Sequence, residues 1–199
     1  MKRFPLVCSV LIITQVYGQK NSENDLPYHK IPEAPEHYNA GTVVSRLIDG
    51  LGFRYYWATE GLTEKDLAYK PSDTNRTIEE TTDHLYNLSR VIYNSALKDI
   101  NDGTVPRDTT LTFKEKREAT LLQLKTASDI FRSVTDLEEH KVVFKNKNGT
   151  VEYPFWNQIN GPISDALWHC GQVVAMRRAS GNPIDPEVSV FQGVRRGSD

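Results

Sequence analysis

Between Asn39 and Ser180 the chain repeats its apolar residues at three- and four-residue spacing in four separate runs. That is the period of an α-helix with one stripe to bury. The first run carries Val43, Val44, Leu47, Ile48, Leu51, Tyr55 and Ala58, with Gly61 as its stop. Gly50 and Gly52 inside it either weaken the helix or admit a close neighbour. A short start at Thr63 to Leu67 ends before Pro71. The second run opens at Thr77, where Glu80 three residues on completes a capping box, and carries Ile78, Leu85, Leu88, Ile92 and Ala96. The third covers about Thr112 to Val134, with Leu121, Leu124, Ala127, Ser128 and Phe131 on its apolar face and Lys114, Lys116, Arg117 and Glu118 on its wet face. The fourth covers about Pro162 to Ser180, with Pro162 in its first turn and Gly181 past its end. Between the third and fourth the period drops to two around Asn148-Gly149, the signature of a hairpin. Four amphipathic helices with nothing else to bury their stripes predict an all-α four-helix bundle with one small β-hairpin.

The flanks differ. Met1-Lys-Arg3, an apolar stretch from Pro5 to Thr14, and Val16-Tyr-Gly18 predict a secretory signal peptide, residues 1–18, and an exported protein, periplasmic or extracellular. The apolar stretch is too short to span a bilayer, so no stable membrane insertion is expected. Residues 19–39, with Pro27, Pro32 and Pro35, predict an extended lead-in, residues 40–181 one helical domain, and residues 182–199 an extended tail over the surface. Cleavage would leave Cys170 as the single cysteine, so no intrachain disulfide is available. It lies in an apolar helical row and reads as a core residue rather than a nucleophile. With 24 Lys and Arg against 26 Asp and Glu and no basic stripe, nucleic acid is not an expected partner.

Two segments carry chemistry: Thr77-Ile-Glu-Glu-Thr-Thr-Asp-His84, and Ile163-Ser-Asp-Ala-Leu-Trp-His169-Cys-Gly-Gln172. Asp165 and His169 stand four apart on one helix, about 5–6 Å between Cβ atoms, and can offer a carboxylate and an imidazole to one ion. If His84 reaches them from the second helix, the set is two His and one carboxylate with coordination positions left open. Each residue also has a plainer explanation. His84 borders an apolar stripe, Asp165 in a first turn suits the helix macrodipole, and a polar row through His169, Gln172 and Met176 is ordinary on a surface helix. Gln172, one turn beyond His169, is placed to orient a ligand from behind. Tyr56, Trp57 and Trp168 are candidate pocket walls, although tryptophans more often pack. His29, His37 and His140 carry no assigned role. The sequons at Asn75, Asn87 and Asn148 bear on the fold only in a host that glycosylates exports.

The order of elements, the His84-Leu-Tyr-Asn-Leu stretch and the segment Asp165-Ala-Leu-Trp-His169-Cys-Gly-Gln172-Val173 with Arg177, Arg178 and Gly181 after it resemble the DinB/YfiT-like superfamily. The resemblance spans about residues 40–181. It implies an up-down-down-up bundle with a divalent metal held near one end by three side chains, which map onto His84, Asp165 and His169. The family usually has His at the position of Asp165. An aspartate accepts zinc or nickel, and iron or manganese more readily. Exported members also share tail features with Gly181-Asn-Pro-Ile-Asp-Pro and Ser189-Val-Phe191. Some relatives are thiol-dependent transferases, and some are dimers; the helix surfaces here do not choose between monomer and homodimer. The expected function is metal-dependent chemistry on a small-molecule substrate, hydrolase-like before thiol transfer, because an exported protein leaves the cytosolic thiol pool behind. The alternative is a non-catalytic bundle that binds a metal or small ligand.

Overall fold

A computed structural model describes residues 26–197, and the signal-peptide expectation lies outside them. The chain is mostly helical, with small strand pairings. Four long helices make its body: α1 (Ala40–Thr59), α3 (Ile78–Leu97), α4 (Phe113–Arg132) and α6 (Ser164–Ser180), with a short α2 (Glu64–Leu67) after α1. Their starts follow from local chemistry. Thr77 and Glu80 form the expected reciprocal cap of α3 (2.8 and 3.0 Å), and Asn39 with Thr42 caps α1 in the same way (2.9 Å each). Gly181 ends α6 at a φ of 97°, in the left-handed region that glycine enters without penalty.

Side-chain contacts fix the directions. Ser45 meets Ser128 and Thr59 meets Arg117, both at 2.9 Å, so α1 and α4 are antiparallel. Asp83 meets Lys116 and Ser89 meets Gln123, so α3 runs parallel to α4. His84 faces Asp165, while Thr81 shares a cleft with Met176, so α6 opposes α3. Helices α1 and α6 thus run one way and α3 and α4 the other. Ile48, Phe53, Tyr55, Ile78, Ile92, Leu121, Leu124, Phe131 and Val173 fill the space between them.

Several elements differ from the sequence expectation. The fourth helix begins earlier than Pro162: α5 (Trp156–Gln158) continues through a π-helical turn (Ile159–Ile163) into α6. Pro162 has no N–H to give the Gln158 carbonyl, which favours the wider turn. Ser164 supplies the repair, its N–H and its Oγ (2.6 Å) both bonding the Ile159 carbonyl. Ile163 is itself helical (φ −72°, ψ −52°), so Asp165 lies inside a continuous helix and not at a free N-terminus. The macrodipole therefore gives no account of a carboxylate there.

The lead-in is not merely extended. Leu26 and Tyr28 are buried in the core, the Tyr28 hydroxyl donates to Asp49 (3.1 Å), and Trp57 Nε1 donates to the His29 carbonyl (3.1 Å). Gly52 admits the Tyr28 ring, because a Cβ there would stand 2.4 Å from it. Arg117, expected on the wet face, is buried over the Tyr56 ring (4.9 Å), with its guanidinium on Thr59 and Glu60.

Strands β2 (Val142–Asn146) and β3 (Gly149–Tyr153) pair antiparallel around a two-residue turn at Lys147-Asn148, and β1 (Ile100–Asp102) joins β2 in parallel. The turn stands one position earlier than the Asn148-Gly149 signal, because Gly149 already pairs with Asn146. In the tail β4 (Val188–Ser189) pairs with β5 (Val194–Arg195), and the Ile31 N–H donates to the Gly193 carbonyl (2.8 Å). Among the described residues no helix is long and apolar enough to cross a membrane.

Candidate metal centre

His84 projects from the second turn of α3, and Asp165 and His169 from one face of α6. Antiparallel packing brings them together: His84 Nε2 lies 3.1 Å from Asp165 Oδ2, and His169 Nε2 lies 3.4 Å from Asp165 Oδ1. One ligand atom from each residue falls within 4.8 Å of the others. The two imidazoles meet edge to face, ring centroids 4.7 Å apart. Donors bound at about 2.0–2.2 Å in tetrahedral geometry stand about 3.3–3.6 Å apart; each imidazole lies near that spacing from a different oxygen of Asp165. The group can hold a metal ion.

The hydrogen bond behind His169 adds to the fit. His169 Nδ1 donates to Gln172 Oε1 at 2.7 Å. A neutral ring with its proton on Nδ1 turns the Nε2 lone pair toward the Asp165 carboxylate. Two acceptors facing each other at 3.4 Å are satisfied by a metal ion between them or by a proton on the ring. Gln172 thus occupies the position expected of a residue that sets ligand tautomer and ring orientation. Three donors leave room for water or substrate in the remaining positions. The side chains of His84 and Asp165 are 32% and 39% exposed, so solvent reaches the group, whereas His169 is more enclosed at 15%. The π-helical turn ends immediately before Ser164 and Asp165, a placement such turns often have beside functional residues.

The expected aromatic walls are elsewhere. Tyr56 and Trp57 are buried, packed on each other and on His29, and Trp168 points outward, 71% exposed. Successive helix positions turn by about 100°, so the neighbour of a ligand faces away from the site that the ligand faces. The cleft beside His169, about 390 Å³, is instead lined by Gln172, Thr81, Met176 and the loop that carries Thr74, Asn75 and Arg76. No periodicity marked that loop, and only its position just before the Thr77 cap hinted that it would lie near His84. Cys170, next to His169 in sequence, is buried, and burial pushes its thiol up to about 12. It is a packing residue and no nucleophile at neutral pH. His140, which had no assigned role, is buried against Ser95 and Phe131.

Comparison of the chain with protein-family models, with curated proteins and with solved structures found no significant match.

Proposed function

We propose that the chain is an exported four-helix bundle of DinB type that binds one divalent metal through His84, Asp165 and His169 and uses it on a small-molecule substrate. The observation that carries this reading is the meeting of two imidazoles and one carboxylate, drawn from two helices, within 4.8 Å of one another. The resemblance of the His84 stretch and the Asp165–Val173 segment to that superfamily agrees with it, as does the opposed direction of α1 and α6 against α3 and α4. The leader-like residues 1–18 support export.

A divalent ion held there supplies Lewis acidity to an electrophile and a nucleophilic water near neutral pH. The chain's own residues do the rest. Gln172 fixes the His169 ring, Asp165 lowers the charge of the site by one, and the half-exposed faces of His84 and Asp165 keep an approach open. Hydrolysis needs no more than this, which places it ahead of thiol transfer. The thiolate of Cys170 is not accessible as an internal group donor.

The second reading is a non-catalytic binding bundle. It draws on the contact of Asp165 with both histidines, through which the group satisfies itself when one imidazole is protonated. The metal-reconstituted protein assayed on ester, amide and thiol-transfer panels separates the two. Turnover that vanishes in His84→Ala and His169→Ala supports the enzyme; a bound ion with no turnover on any panel supports the binding protein.

A further inference from the structure

The cleft beside His169 has an electrostatic character of its own. Its polar lining comprises Thr74, Asn75, Arg76, Thr81, His169 and Gln172, with Met176 among its apolar residues, and no carboxylate contributes to it. Among the described residues no carboxylate pairs with the Arg76 guanidinium. Elsewhere on the surface Lys116 and Lys145 are neutralised at 2.8 Å by Asp83 and Asp102. His169 also lines the cleft, held by Gln172. A divalent ion ligated by two neutral imidazoles and one carboxylate retains one positive charge. A molecule in this cleft therefore meets the Arg76 guanidinium, hydroxyl and amide groups, and the His169 edge of the metal centre, while His84 and Asp165 do not line it.

We propose that Arg76 recognises the substrate's anionic group, so that the substrate class is a small molecule bearing a phosphate or carboxylate. This rests on the metal-centre reading, which it extends to the substrate. Arg76 presents a planar fork of donors suited to a bidentate oxyanion. It sits on the loop that leads into the Thr77 cap, so the α3 N-terminus that positions His84 also sets the height of the guanidinium. The anionic end occupies Arg76, and the reacting group extends toward the His169 side of the cleft. Arg76 acts in binding and orientation, away from the reacting atoms.

Inorganic phosphate serves as the probe. Its binding to the full-length protein, metal-free and cobalt-loaded, is measured by calorimetry, with cobalt content determined on the same samples. Wild type is expected to bind phosphate, Arg76→Gln to weaken it about tenfold or more, and Arg76→Lys to recover only part of it, since lysine restores the charge but not the bidentate fork. Arg178→Gln, which removes an exposed charge from α6 outside the cleft, should leave the affinity within about twofold. Equal affinity in wild type and Arg76→Gln, equal weakening by Arg76→Gln and Arg178→Gln, or no phosphate binding to wild type would each overturn the assignment. Absence of cobalt from wild type would remove the metal centre alone. The metal-free titration then decides the cleft, with Arg76-dependent binding retaining it and Arg76-independent binding rejecting it.

Discussion

Replacing Gly52 by alanine should destabilise this protein, against the usual direction of that change in a helix. In the interior of a helix such as α1, Gly→Ala ordinarily contributes about 1 kcal/mol of stability. Here the new Cβ would stand 2.4 Å from Cδ2 and Cε2 of Tyr28 and 2.7 Å from Cζ, closer than any tolerable contact. The ring must leave. It is 3% exposed in place, and returning an aromatic side chain to water costs about 1.5–3 kcal/mol. The Tyr28 hydroxyl also abandons the buried Asp49 carboxylate, a bond of 3.1 Å of the class worth about 1.5–3 kcal/mol. Asp49 keeps Ser128 (2.6 Å) and Arg132 (3.0 Å) and so stays partnered. The balance is a net loss of about 2–5 kcal/mol. Urea unfolding, with midpoint and slope both fitted, reads it directly. In a Tyr28→Ala background the obstacle is gone, and Gly52→Ala should then stabilise by about 1 kcal/mol. If Gly52→Ala raises the midpoint in both backgrounds, the docking of the lead-in on α1 is wrong.

Three further outcomes follow from other residues. Gln158 is fully buried with neither side-chain polar atom hydrogen-bonded; Gln158→Met should therefore raise stability by about 1–3 kcal/mol in the same assay, and a loss would mean that the amide is satisfied within the fold. Gln172→Leu removes the acceptor from His169 Nδ1 and should weaken metal affinity about tenfold in a chelator competition, the lower end of the range for such supports because Gln172 is exposed. Asp66 is buried; desolvation alone would raise its pKa, but hydrogen bonds from Ser180, Asn182 and Thr63 outweigh it and hold the carboxyl below its ordinary 3.8. Its contribution is thus complete above that value and lost as pH falls below it, and Asp66→Asn should flatten the acid limb of the stability profile.

The parts of this structure legible in the sequence were those written in regular periods. The four long helices, the Thr77–Glu80 cap, the hairpin beside the Asn-Gly signal and the Gly181 stop all depend on local spacing. The i, i+4 pairing of Asp165 and His169 belongs with them, and so does the reach of Gln172 to His169. What required long-range information was hidden. Leu26 and Tyr28 sit among prolines and polar residues with no repeat, so nothing local marks them as core. The three residues of β1 are too few to show alternation and pair with a strand some forty positions later. Arg117 carries a charge that local reasoning sends to water, whereas Thr59, Glu60 and the Tyr56 ring receive it inside. Pro162 marks helix starts in general, and only the Ser164 hydroxyl shows how a π-helical turn can absorb it instead. The convergence of His84 on α6 was a cross-helix contact that spacing alone could not supply, and the outward turn of Trp168 was likewise undetermined by its neighbours.

The most direct test of the metal centre is elemental analysis after reconstitution and removal of loosely held ions. Wild type should retain about one divalent ion per chain, and His84→Ala, Asp165→Ala and His169→Ala should each lose most of it while keeping the helical content of wild type. A wild type that retains no ion from zinc, nickel, iron or manganese, or three variants that hold metal as wild type does, would contradict the centre on which the proposed function stands.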